Sequence, residues 1–124
     1  MSENYNYAKS GNAQRKQMHY SPNLLSTINN AIDNCKVSFL EYDSREKGVS
    51  KREVEPMAIV YKDRKRHLVA FCRLRNEYRS FRLDRLNLIR LEKEEFARRQ
   101  DFNVNDFQDS NEAGLAYEDY EEEN

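Results

Sequence analysis

RHLVAFCRLRNEYRSFRLDR, residues 66–85, is the stretch whose reading decides the fold. It holds two apolar, strand-like runs, Leu68-Val69-Ala70-Phe71-Cys72 and Phe81-x-Leu83, joined by residues 73–77. Arg66, Arg73, Arg75, Arg79, Arg82 and Arg85 surround these runs, against only Glu77 and Asp84. The pattern predicts a core-forming hairpin with a cationic skin. A skin of that sign suits an anionic ligand, nucleic acid or a nucleotide before others.

Upstream, Val37–Tyr42 alternates and is rich in aromatic and β-branched residues, which predicts a strand. Residues 43–48 supply turn chemistry and Gly48. A second strand starts near Ser50, with Arg52, Val54 and Pro56 on one face and Glu53, Glu55 and Met57 on the other. Pro56 cannot donate to a ladder, so that strand is an edge there or it bends. Asp63-Arg64-Lys65 is a short polar turn before the opening stretch, and residues 87–92 read as a fifth strand.

Before the strands, Ser21-Pro22 opens a helix as N-cap and first helical residue. Leu24, Leu25, Ile28, Ala31, Ile32 and Cys35 form its apolar face, with Asn23, Thr27, Asn30, Asp33 and Asn34 opposite. Phe39, Tyr42, Tyr61, Phe71 and Phe81 are expected in the core by alternation, with Tyr61 and Tyr78 the likeliest of the aromatics to be exposed. Residues 92–100 suggest a short helix, and Phe102, Val104 and Phe107 a last apolar cluster that packs back. The fold class expected is mainly β: an N-terminal helix plus a small five-stranded, bent antiparallel barrel. Closure would remove exposed edges.

The organisation expected is a flexible polar segment at 1–20, the helix-and-barrel domain at 21–100, and an extension ending in an acidic tail at 101–124. The net charge of −1 conceals an asymmetry. Residues 36–90 carry 15 Lys+Arg against 8 Asp+Glu, whereas residues 101–124 carry 9 Asp+Glu and no Lys or Arg. The tail is either solubilising or a cis competitor of an anionic ligand. No apolar run approaches bilayer length, and residues 1–20 lack the apolar core of a leader peptide, so a cytoplasmic protein with no membrane contact is expected. Cys35 and Cys72, far apart and in no paired motif, read as reduced buried thiols in preference to a disulfide.

The helix NLLSTINNAID, then VSFLEYDS, SKREVEPMAIVY and LVAFCRLRNEYRSFRLDRL, in this order, resemble the WYL domain family. The resemblance covers about residues 24–95. Its most specific parts are Arg52-x-Val54-x-Pro56 and the run Arg79 to Arg85. It implies an Sm-like, SH3-type barrel and a bacterial regulatory domain that senses nucleic acid or a nucleotide. Such domains commonly act behind a DNA-binding helix-turn-helix, and some stand alone and modulate defence-system proteins. Three departures stand out. The naming triplet falls at Arg66-His67-Leu68, so Trp and Tyr are replaced. Residues 1–21 are too short and polar for a helix-turn-helix. The C-terminal extension of longer members is reduced to an acidic tail.

The candidate ligand or nucleic-acid contacts are Arg52, His67, Arg73, Arg75, Tyr78, Arg79, Arg82 and Arg85. Arg79, Arg82 and Arg85 lead, because guanidinium forks match phosphate oxygens and the resemblance puts this run at the ligand site. Against binding stands a solvated strand surface paired with Glu77 and Asp84. Arg73 and Arg75 could reach a phosphate from the connecting loop or simply solubilise it. Arg52 faces the barrel mouth, with a ligand phosphate or a main-chain carbonyl as its acceptor. His67, at the family's Tyr position, and Tyr78 could stack on a base or serve packing.

Three glycines without a motif give no phosphate loop. His19 and His67 have neither a nucleophile nor further metal ligands at motif spacing, so no enzyme, metal or cofactor is expected. The leading function is a ligand-sensing module that binds single-stranded nucleic acid or a nucleotide and modulates a partner, a transcription regulator or a defence effector. The alternative is a protein-interaction or homodimerisation module without nucleic acid.

Overall fold

The computed structural model describes the backbone of residues 7–9 and the whole of residues 20–109. The expected flexibility of residues 1–6 and 10–19, and the character of the tail from 110, lie outside the described residues. Strand β1 is Tyr7–Lys9, helix α1 Pro22–Asp33, and β2 to β6 are Lys36–Asp43, Val49–Lys62, Lys65–Cys72, Glu77–Arg82 and Leu86–Glu95. Single 3-10 turns occupy Leu83–Arg85 and Val104–Asp106.

Helix α1 begins as its sequence dictates: the Ser21 side chain accepts the Leu24 amide at 3.1 Å and Pro22 follows at the first turn. Leu24, Ile28 and Ala31 are buried. Thr27, expected on the polar face, is buried too, one turn from Leu24 and Ala31. Tyr20, just before the cap, joins the core.

The strands form one antiparallel sheet in the order β1-β6-β2-β3-β4-β5. The five strands expected are β2 to β6. The short β1 adds a sixth to the outer side of β6, so Tyr7–Lys9 is paired where a loose segment was expected. The ring is not closed, because β5 pairs with β4 alone. The sheet curls enough for Tyr42 on β2 to reach across to β5. Its hydroxyl accepts the Arg82 amide at 3.1 Å, and its ring meets Phe81 edge-on at 5.0 Å. The 3-10 turn at Leu83–Arg85 then carries the chain from β5 to β6, with Leu83 and Leu86 buried on either side.

Pro56 marks the bend. Pairing of β3 with β2 ends at Val54, and pairing with β4 slips between Pro56 and Ala58. The proline therefore falls where no β2 acceptor faces its missing N–H. The curl creates two apolar layers. One lies under α1 and includes Leu24, Ile28, Leu40, Val54, Leu68, Phe81 and Ile89. The other lies on the opposite sheet face and combines Val37, Met57, Phe71 and Phe96.

Three local expectations are corrected. Residues 92–100 are not a helix: β6 runs on to Glu95, where it pairs with Lys36, and pairing overrides local propensity. Phe39 is half-buried rather than core, lying under the Arg90 guanidinium at 4.6 Å. Cys72 is a buried free thiol, but Cys35 is a half-buried one.

Past Phe96 the chain crosses the outer face of β3, β4 and β5. Phe102 and Phe107 pack on Tyr78, which meets Phe71 edge-on. Asp109 finishes the crossing at the β3–β4 turn. The expected back-packing of Phe102 and Phe107 is therefore found, and it shapes the fate of several candidate site residues.

Candidate anion-binding site

Strand alternation splits the candidates between two faces. On β4, His67 shares a face with Val69 and Phe71. Opposite them on β5 stand Arg82, Ser80 and Tyr78. Leu68, Ala70 and Cys72 point to the other face, with Phe81, Arg79 and Glu77 opposite. The arginine run is thus not one surface.

On the outer face most candidates are already engaged. Arg73 donates Nε to Glu55 at 3.0 Å and a terminal nitrogen to Glu94 at 3.1 Å. Glu55 is a buried carboxylate, with its side chain only 5% exposed. Its second partner is Arg99 at 2.8 Å, whose guanidinium also lies 3.6 Å above the Phe71 ring. Tyr78 donates its hydroxyl to Asp101 at 2.6 Å and is packed between Phe71 and the crossing segment. Burial, then the bond to Asp101, pushes its ionisation up to about 12. A ring held in this way is packing, not an open stacking platform. Arg82 grips Asp84 with two bonds, 2.9 and 2.6 Å, and this pairing raises its already high pKa. His67 is buried at 7% exposure, with Nδ1 3.1 Å from the Lys65 carbonyl. Burial lowers its pKa, and Lys62 and Arg82 add to the effect, so the ring is neutral at pH 7.

The inner face differs. Arg52 on β3 enters the end of the curled sheet beside Ser50, Cys72 and Phe81. Its terminal nitrogens donate to Ser50 Oγ at 3.1 Å and to the Cys72 sulfur at 3.4 Å, and its guanidinium carbon lies 5.9 Å from the Phe81 centroid. All of these partners are neutral. Its Nε is buried and has no acceptor. Arg79 lies on the Phe81 side of β5, more than a third exposed, with Glu77 at 3.1 Å. Arg85, half-buried in the 3-10 turn, also has a buried Nε with no acceptor. Arg75 stands exposed at the β4–β5 tip.

A guanidinium with a desolvated, unbonded N–H is unfavourable by roughly 1–3 kcal/mol, and more when charged groups are involved. Among the described residues, Arg52 and Arg85 are the two that carry this defect in a buried side-chain nitrogen. An anionic acceptor that reached either nitrogen, by a shift of the groups covering it, would repair it. Sequence reasoning had both residues as candidates but did not find Ser50 and Cys72 around Arg52. It also missed the Glu55–Arg99 pair, which has no local signature.

Among the described residues no group of His, Cys, Asp and Glu could hold a metal ion, and no helix is long and apolar enough to cross a membrane.

With fold and site in view, the class is defined: a helix plus a strongly curled antiparallel sheet with an arginine set into its open end. The chain belongs to the WYL domain family, whose model matches residues 23–91. Among solved structures it is similar to proteasome accessory factor B/C (PafBC) of Arthrobacter aurescens, with a TM-score of 0.57 and 25% identity. That match covers 77% of this chain and 15% of the other, so the chain spans a small part of its structural neighbour. No curated protein sequence matches it.

Proposed function

We propose that this chain is a ligand-sensing regulatory module. In this reading it binds an anionic ligand, single-stranded nucleic acid or a nucleotide, at the Arg52 end of the curled sheet. Membership of the WYL family supports the regulatory part. The observation that carries the ligand class is the pair of buried, acceptor-less Nε atoms on Arg52 and Arg85. A phosphate supplies several acceptors in the geometry a guanidinium fork prefers. Arg79 and Arg75 would guide the ligand electrostatically from the rim. A partner protein in transcription or phage-defence control would read the bound state.

Of the eight residues expected from the sequence, Arg52, Arg75, Arg79 and Arg85 stay in this site. Arg73, Tyr78, Arg82 and His67 are assigned to holding the fold together. The test is binding of a fluorescent single-stranded oligonucleotide at two salt concentrations. Affinity should fall steeply with salt, and Arg52→Ala should lower it about tenfold or more, the worth of one charge-assisted bond. Salt-insensitive binding, or an unaffected variant, would refute the assignment.

A second reading rests on the outer edge of β5. The Arg82 amide turns away from β4 towards Tyr42, so by alternation the Ser80 and Tyr78 amides also point outward. Such an edge can accept a strand from a partner or a second copy. A nuclease-insensitive assembly on sizing would favour this alternative, and co-purified nucleic acid the first.

A further inference from the structure

The β3–β4 hairpin carries a second cationic surface, at the opposite end of β4 from Arg52. Its two-residue turn is Asp63-Arg64, flanked by Lys62 and Lys65, which pair with each other in register. Lys62 and Arg64 are exposed and Lys65 is half-buried. None of these three cations is paired with a carboxylate among the described residues, whereas Arg73, Arg79, Arg82, Arg90 and Arg99 all are.

One carboxylate already sits at the turn. Asp109, at the end of the crossing segment, donates its amide to the Tyr61 carbonyl at 3.0 Å. It accepts the Asp63 amide on Oδ2, also at 3.0 Å. The chain then continues for 15 residues with six acids, Glu112, Glu118, Asp119, Glu121, Glu122 and Glu123, and no base.

We propose that the β3–β4 hairpin is a polyanion-docking surface, and that the chain's own acidic residues 112–123 occupy it in cis. Asp109 ends the described chain at the hairpin, the acidic residues follow it in sequence, and fifteen residues reach at most about 50 Å extended, so the run is tethered beside cations of opposite charge. Tethering of this kind gives an effective concentration of order millimolar, enough to sustain a contact made of weak exposed pairs. The surface is distinct from the Arg52 site, but the two are coupled through charge. A neutralised hairpin lowers the positive field that would draw a nucleic-acid backbone to the domain. The His67 ring lies close enough to Lys62 and Arg82 to feel both, so the cationic field extends along this end of the sheet. The acidic run therefore screens the domain against weak, non-specific polyanions.

The test has two arms on the full-length protein. In the first, amide spectra are compared between the wild type and a variant with all six acids changed to their amides, Glu112→Gln, Glu118→Gln, Asp119→Asn, Glu121→Gln, Glu122→Gln and Glu123→Gln. Resonances of residues 61–66 should shift, and raising the salt on the wild type should reproduce the shift. No change there, or change confined to residues 50–52 and 79–81, overturns the proposal. In the second arm, a fluorescent single-stranded oligonucleotide is titrated at low salt. The amide variant should bind several-fold more tightly, and adding Lys62→Ala, Arg64→Ala and Lys65→Ala should cancel the gain. A gain that survives those changes overturns it. Failure of the oligonucleotide to bind any variant counts against the nucleic-acid reading of the Arg52 site, while the first arm still decides the docking.

Discussion

Arg99 reaches back 44 residues to donate Nε to Oε1 of Glu55 at 2.8 Å, and so fastens the C-terminal crossing segment to a buried carboxylate on β3. Arg73 holds the other oxygen. Glu55 is thus satisfied twice, once from the turn between β4 and β5 and once from the segment. Removal of one arginine leaves it paired, but removal of both strands a buried charge. Arg99→Ala and Arg73→Ala should each cost about 1–2 kcal/mol. The double variant should cost about 3–5 kcal/mol, more than their sum. Urea unfolding of the four proteins measures this coupling, and additive losses would mean Glu55 is not the shared anchor.

Tyr78 reports on the same fastening. Its ionisation is pushed up to about 12 from 10 by burial and by the bond to Asp101. The folded state holds that proton more tightly than the unfolded chain. The linked stability is therefore present below pH 10 and is lost as pH rises towards 12. Asp101→Asn, which weakens the bond, should bring Tyr78 back towards the ordinary range in an ultraviolet titration. An unchanged titration would separate Tyr78 from Asp101.

His67 works with the opposite sign. Its pKa is lowered from 6.5, by burial first and then by Lys62 and Arg82. The unfolded chain takes up the proton first, so stability present above pH 6.5 should fall as the pH drops through the lowered folded value. His67→Phe should flatten the profile below about pH 6.5. Melting temperatures across that range check it, and an equally steep profile in the variant would point to carboxylates instead.

The β3–β4 turn stores strain. Asp63 and Arg64 have φ of 56° and 64°, the left-handed conformation at both centres of a two-residue hairpin. Asp-Gly suits that turn far better. Arg64→Gly should stabilise the protein by about 0.5–1 kcal/mol, since relief of the left-handed penalty exceeds the entropy cost of glycine. A loss of stability by denaturant titration would show that Arg64 holds the turn by its side chain.

What could be read in advance follows from the range of each signal. The Ser21-Pro22 start of α1, the alternation of β4 and β5, and the bend at Pro56 are local, and all were legible. The fate of residues 92–100 was not. Strong helix formers there are overruled by pairing to β2, a contact across 59 positions at Lys36 and Glu95. The inner role of Arg52 followed from its sharing a face with Val54. The roles of Arg73, Tyr78 and Arg82 depended on which carboxylate folds beside each: Glu55 and Glu94, Asp101 and Asp84. Of these only Asp84 is close in sequence, two residues from Arg82. Alternation alone puts Phe39 in the core, because it reports the face of a strand but not how the sheet curls.

The most direct measurement of the central claim pairs stability with binding in Arg52→Met. This change keeps most of the side-chain volume and removes the buried, acceptor-less Nε. The ligand-free variant should be as stable as the wild type or slightly more so, by up to about 1 kcal/mol. Its affinity for a single-stranded oligonucleotide should fall about tenfold or more, with a shallower salt slope. Arg75→Ala, at the exposed tip, should lose far less. A destabilised Arg52→Met that binds as the wild type does would make Arg52 a structural residue and contradict the account.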